Sequence, residues 1–220
     1  MHALAGAEQD VVGALEALAD ALGAPSKVAR REAVQQPELH AGPFKPETFG
    51  LTLAALLPEN SIVAEDAVTS GRALFPLTWG AAPHDWIQIT GGAIGHAFPA
   101  ATGAAVACPG RKLVCLQADG AGMYSLQALW TQAREKLDVL NVVFANRRYA
   151  ILQGELAAVG AQPGPASREL FDLARPEIRW TKLAEGMGVE SAKVETLEAF
   201  ADVFASACAR RGPFLIEFVL

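Results

Sequence analysis

The chain is poor in the residues that mark several classes of function. Three cysteines in 220 residues (Cys108, Cys115 and Cys208) are an odd number without metal-type spacing. Neither a disulfide framework nor a cysteine metal site is expected from them. Cys108 falls on an alanine-rich helical stretch and Cys115 in a strand-like run, where reduced, buried thiols are the plain reading and point to the cytosol. The four histidines show no ligand spacing; His84 and His96 are the two that could approach a pocket mouth. Basic residues are outnumbered, the net charge is -6, and there is no aromatic-interleaved Arg/Lys stripe. No nucleic-acid partner is therefore expected. No apolar run nears the roughly 20 residues of a membrane span, and "MHALAGAEQD" lacks the basic-then-apolar order of a secretory signal. The pattern G-x-x-x-x-G-K-[ST] is missing. "TGGAIG" is not G-x-G-x-x-G, and "CPGRKLV" stands where a ribose-binding acid would be needed. A P-loop and a nicotinamide-dinucleotide site are both disfavoured.

What the chain does have is apolar content, 51% of its residues, enough for one large core. Between Glu8 and Leu22, Val11, Val12, Leu15, Leu18, Ala19 and Leu22 recur at helical spacing, and Gly23 stops the run. Residues 1–24 read as a helix at the tail of a preceding domain. Residues 25–46, broken by Pro25, Pro37, Pro43 and Pro46, read as a linker, and residues 47–220 as the main domain. In that domain "ETFGLTLAALL" is helix-like and "SIVAED" strand-like. "WIQIT", the helix "IGHAFPAATGAAVAC", the strand "KLVCLQA", the helix "MYSLQALWTQAREKL" and the strand "VLNVVFA" follow. Two more helical segments lead to the strand "PFLIEFVL". Short continuous apolar strands alternating with helices predict an α/β fold, a parallel sheet with helices on both faces.

In such a sheet ligands bind beyond the carboxyl ends of the strands. Asp119 lies just past the run Lys112–Ala118, and Asn146 just past Val139–Ala145. A right-handed crossover through the intervening helix makes these strands neighbours, about 4.8 Å apart. A carboxylate and an amide carbonyl can then converge on one hard cation such as Mg²⁺, which takes one or two protein ligands beside phosphate and water. "DGAG" adds backbone able to approach phosphate closely. An isolated Asp-Gly is an ordinary turn and a lone Asn a loop cap; it is the spacing and the strand–helix–strand setting that favour a site.

These residues resemble a known family. "ADG", 24 intervening residues and "AN" are similar to the thiamine diphosphate signature, GDG followed about two dozen residues later by NN. "ITGGAIGHAFPAATGAA" resembles the family's upstream block and "YSLQALWTQA" its diphosphate-side helix. The likeness is to benzoylformate decarboxylase and acetolactate synthase-like enzymes, runs from about Pro46 to Leu220, and covers only their C-terminal, diphosphate-binding domain. It implies thiamine diphosphate and Mg²⁺ as cofactors. Asp119 and Asn146 would bind the metal by side chain and Arg148 by its carbonyl. Gly120 and Ala121 would offer amides to the diphosphate, with Val68 and Thr69 on the other side. Gly92 would accept from the pyrimidine 4'-amino group, Ile94 would be the apolar wedge under the bent cofactor, and Tyr149 would adjoin it. Ile151, Leu152 and Glu155 would border the substrate pocket.

Plainer roles stand beside these: Ile94 as core, Thr69 and Ser70 as a helix N-cap, Glu155 as a solvated charge. Two positions depart from the signature, Ala118 for its first glycine and Ala145 for its first asparagine. The resemblance implies decarboxylation of a small 2-oxo acid, or carboligation to an acyloin. It also implies an activating glutamate from a separate pyrimidine-binding domain, for which no second βαβ unit is present in the sequence. Homo-oligomerisation is a family habit. The alternatives are a non-catalytic cofactor-binding or assembly domain of the same fold, and an unrelated α/β nucleotide-binding module.

Overall fold

The computed structural model describes residues 3–6, 8–25 and 35–220. It divides into two units, with the boundary between Val34 and Gln35. The first contains helix α1 (Val11–Ala21), opened by Asp10, whose side chain accepts the Gly13 N–H at 3.0 Å. This is the helix expected over residues 8–22, and none of its residues is buried. Residues 26–34, part of the expected linker, lie outside the described residues.

The second unit runs α2 (Pro46–Leu56), β1 (Ile62–Asp66), α3 (Leu74–Leu77), β2 (Asp85–Gln88), α4 (Ala97–Ala107), β3 (Leu113–Ala118), α5 (Asp119–Gly122), α6 (Ala128–Arg134) and β4 (Val139–Ala145). It continues through α7 (Ala150–Ala158), α8 (Pro165–Leu170), α9 (Trp180–Gly186), β5 (Glu190–Val194), α10 (Leu197–Cys208) and β6 (Phe214–Val219). All strands are parallel, in the order β2-β1-β3-β4-β6-β5. The expected α/β architecture is present.

The central strands β1 and β4 are buried along their whole length, so both faces must be covered. One face packs on α2 and α10 through Phe49, Leu53, Phe200 and Phe204. Phe49 sits at the middle of a phenylalanine cluster, 5.0 Å from the Phe144 ring and 4.9 Å from that of Phe200. The other face packs on α4, α6 and α9 through Phe98, Ala101, Leu129 and Trp180. Each such fully buried side chain contributes about 1.5–3 kcal/mol of hydrophobic stabilisation. Small alanines on α4 let it lie close over β1 and β3. Two buried amides break the apolar run: Asn141 Nδ2 donates to Gln132 Oε1 at 2.8 Å, so these polar groups satisfy each other.

Three differences from the expected elements have local causes. The stretch 35–46, expected as linker, packs on the second unit: Phe44 joins the phenylalanine cluster, and the Gly42 carbonyl accepts the Leu197 N–H at 2.8 Å. The strand β5 was not expected, because "ESAKV" is polar; it lies at the sheet edge, paired on one side only. The helix expected from Met123 to Leu137 begins only at Ala128. Residues 123–127 form tight turns instead, with the Ser125 hydroxyl drawn to the Gly95 carbonyl at 2.6 Å. Lys136, in the left-handed region at φ 52°, ends it.

Candidate functional site

The chain leaves β1 toward β2 on one side and returns to β3 on the other. The β1–β3 pair is therefore the switch point of the sheet, and a crevice opens at the carboxyl ends of its strands. A cleft of about 50 Å³ lies there, with Val68 and Thr69 after β1, Asp119 and Gly120 after β3, and Asn146 and Tyr149 after β4 on its walls. Ile94, Ala121, Arg148 and Ile151 also line it. A second hollow of about 400 Å³ adjoins it through Thr69, Asn146 and Arg148.

Asp119 is 3% exposed, and both its oxygens accept backbone amides: Gly120 N–H at 2.8 Å on Oδ1 and Arg147 N–H at 2.6 Å on Oδ2. Burial pushes its carboxyl up to about 6, against the pull of those amides and of the Arg147 charge. Asn146 Oδ1 accepts the Arg148 N–H at 3.1 Å. The strand tips expected to converge do converge: Asp119 and Asn146 wall the same cleft, and the residue after Asn146 is bonded to Asp119.

Two non-glycine residues at this rim take left-handed backbone, Val68 at φ 45° and Arg147 at φ 56°. For a β-branched residue such as Val68 this costs about 1–3 kcal/mol. The turn that holds it is fixed by the Ala67 N–H on Glu65 Oε1 at 2.8 Å and the Arg72 N–H on the Val68 carbonyl at 3.0 Å. Glu65 is buried, which pushes its carboxyl up. Thr69 and Ser70 cap no helix; α3 starts at Leu74 after Ala73.

Gly120 has a packing reason: a Cβ there would stand 2.7 Å from Tyr149 Cε1. Gly91 and Gly92 have φ of 62° and 70°, open to solvent, and the Gly92 carbonyl accepts the Ile94 N–H at 3.0 Å in a tight turn. Ile94 is 44% exposed at the cleft, so a role as plain core does not fit it. Leu152 and Glu155 are exposed on α7 and are not among the residues lining the cleft. His84 precedes β2 at the amino end of the sheet, where its Nδ1 pairs with the Ala82 carbonyl, far from the strand tips expected of a pocket mouth. Ala118 has φ -88° and ψ 150°, ordinary strand geometry that any L-residue adopts, and Ala145 is 2% exposed.

The site suits a hard cation with a phosphate tail. Its donors are one carboxylate, one amide oxygen and main-chain groups, and among the described residues no cluster of three His, Cys, Asp or Glu competes with them.

The pattern described as "Thiamine pyrophosphate enzyme, C-terminal TPP binding domain" matches residues 67–218. The chain belongs to that family. A Mycobacterium tuberculosis protein with the provisional name acetolactate synthase large subunit IlvX is 46% identical over 209 residues, 94% of this chain and 40% of that protein. Benzoylformate decarboxylase of Pseudomonas aeruginosa is 28% identical over 94% of the chain and 39% of its own length. Among solved structures, a thiamine diphosphate-dependent 4-hydroxybenzoylformate decarboxylase of Rhodococcus jostii superposes with TM-score 0.73 at 27% identity, over 93% of this chain and 38% of that one. The chain thus spans about two-fifths of the length of these relatives and carries the thiamine pyrophosphate-binding domain that the family pattern describes. No helix among the described residues is long and apolar enough to cross a membrane.

The sequence reading did not single out the residue that holds the loop 90–96. Asp66, fully buried at the end of β1, accepts the Gly95 N–H at 2.6 Å and the His96 N–H at 2.9 Å. The signal available was a second acidic residue at a strand tip in "SIVAED", one strand away from Asp119.

Proposed function

We propose that this chain is the thiamine diphosphate- and Mg²⁺-binding domain of a 2-oxo acid decarboxylase or carboligase of the acetolactate synthase type. In this reading Asp119 and Asn146 ligate Mg²⁺ by side chain and Arg148 by its main-chain carbonyl. The ordinary donor set of Mg²⁺, a few protein oxygens completed by phosphate and water, fits such a rim. The Gly120 N–H, which donates to Asp119 Oδ1, would be a donor for the diphosphate. The Ala121 amide and the turn at Val68 and Thr69 complete the diphosphate cradle.

Gly92 and Ile94 serve the other end of the cofactor. The Gly92 carbonyl would accept from the aminopyrimidine and Ile94 would be the apolar wedge, a role that suits a large apolar side chain left 44% exposed at the cleft. Tyr149 packs on Gly120 and fixes the floor of the diphosphate end. Ile151 borders the substrate, with Leu152 and Glu155 on the open side of α7. Bound thiamine diphosphate supplies the carbon nucleophile and electron sink that these reactions need. The chain's own work is to anchor, bend and shield it. The activating glutamate comes from a pyrimidine-binding domain, of the same or another chain, in a cytoplasmic homo-oligomer. The α1 helix belongs to the tail of a preceding domain.

The observation that carries this reading is the Asp119–Arg147 bond, which draws two strand tips around one cleft. The test is to mix the chain with the pyrimidine-binding domain of a benzoylformate decarboxylase, add thiamine diphosphate and Mg²⁺, and assay release of carbon dioxide from pyruvate and benzoylformate. Activity of the mixture, absent from either part, is expected. Activity from the chain alone overturns the need for a second domain; no cofactor binding in any combination overturns the enzyme reading.

A further inference from the structure

The loop Thr90–Gly95 carries Gly92 and Ile94, yet in this domain it has little packing of its own: residues 90–94 are exposed and the backbone is left-handed at Gly91, Gly92 and Gly95. Two side chains grip its far end. Asp66 Oδ2 accepts the amides of Gly95 and His96, at 2.6 and 2.9 Å. Ser125, just after α5, donates its hydroxyl to the Gly95 carbonyl at 2.6 Å. Gly95 is thus held on both its amide and its carbonyl, and a Cβ at this residue would stand 2.7 Å from Tyr124 Cβ. The second Asp66 oxygen, Oδ1, lies toward the Gln117 amide, but neither Oδ1 nor Gln117 Nε2 completes a hydrogen bond. Among the described residues, the loop amides are the groups this fully buried carboxylate binds.

We propose that Asp66, with Ser125, is a positioning residue that sets the Gly92–Ile94 loop against the strand tips bearing Asp119, so that the aminopyrimidine end of the cofactor is held at a fixed distance from its diphosphate end. This rests on the proposed function. The physical basis is a difference in rigidity along one site. The diphosphate end is built on strand tips and tight turns inside the sheet. The pyrimidine end sits on a glycine loop that would sample many conformations if unheld, and ordering it on binding would cost affinity. A carboxylate accepting two amides makes charge-assisted hydrogen bonds, stronger than neutral ones, and one from β1 ties the loop to the most rigid layer of the domain.

Ligands that reach only one end separate this role from plain capping of α4, which begins at Ala97. Affinities of the full chain for thiamine diphosphate with Mg²⁺, and for inorganic pyrophosphate with Mg²⁺, are measured by calorimetry for the wild type, Asp66→Asn and Asp66→Ala. Amide exchange of Gly95 and His96 is followed without ligand. The expected result is faster exchange at both amides, and thiamine diphosphate affinity lowered about tenfold in Asp66→Ala and less in Asp66→Asn, with pyrophosphate affinity unchanged. Equal loss for both ligands, or unchanged exchange at Gly95 and His96, overturns the proposal. If Asp66→Ala does not fold, Ser125→Ala releases the other grip and must shift the same two readouts in the same direction. A wild-type chain that binds pyrophosphate but gains nothing from the thiamine portion overturns the assignment of Gly92 and Ile94 to the cofactor. The exchange measurement still decides whether Asp66 holds the loop.

Discussion

The backbone N–H of Arg147 reaches Asp119 Oδ2 at 2.6 Å, so the segment after β4 is bonded to the first residue after β3. Arg147 itself takes φ 56°, and Asn146, just before it, stands on the wall of the cleft. A buried carboxylate and a neighbouring amide oxygen are thereby brought to one place, with a backbone conformation that a non-glycine residue rarely takes.

Gly120→Ala should be damaging for a packing reason separate from any ligand. The added Cβ would lie 2.7 Å from Tyr149 Cε1 and 3.3 Å from Leu173 Cδ1. Overpacking of this kind costs about 1–3 kcal/mol. Chemical denaturation should show that loss, and Tyr149→Leu in the same chain should recover part of it by removing the ring. Additive losses in the double variant would contradict the assigned contact.

The Asp119 carboxyl has its folded-state value raised to about 6 from 3.8, chiefly by burial, with the Arg147 and Gly120 amides opposing. The folded state therefore holds this proton more tightly than the unfolded chain. The associated stability is full below about pH 4 and is lost as pH rises through about 6. A shift of this size corresponds to a change on the order of 3 kcal/mol. Thermal melting of the ligand-free chain across that window should show the decline, and Asp119→Asn should remove it. Binding of a cation needs the ionised carboxylate, so Mg²⁺-dependent affinity for thiamine diphosphate should rise over the same interval.

Ala118 replaces the first glycine of the family signature, but its φ of -88° needs no glycine. Restoring the signature with Ala118→Gly should lower stability by about 0.5–1 kcal/mol through backbone entropy, and leave cofactor affinity unchanged in calorimetry. An increase in affinity would show that Ala118 weakens the site.

Much of the fold was legible because its physics is local. The runs Ile62–Ala64, Leu113–Leu116 and Val142–Ala145 are apolar because those strands are covered on both faces. The cleft pair Asp119 and Asn146, proposed here as metal ligands, was legible for the same reason, since each marks where such a run ends. What was not legible depends on partners distant in sequence. Edge strand β5 is polar and takes its conformation from β6. Phe44 looks like part of a proline-rich linker until Phe49 and Phe218 surround it. Asp66 binds amides 29 and 30 residues further on, and no local pattern announces that. Leu152 and Glu155 follow "RRYA" closely in sequence, yet the turn of α7 brings Ile151 to the cleft and leaves them outside.

The most direct measurement is calorimetric titration of thiamine diphosphate into the chain with Mg²⁺ and with EDTA, in the wild type and in Asp119→Ala. Tight binding that needs Mg²⁺ and falls roughly a hundredfold in Asp119→Ala is the predicted result. Affinity that is indifferent to Mg²⁺, or undiminished in Asp119→Ala, would contradict it.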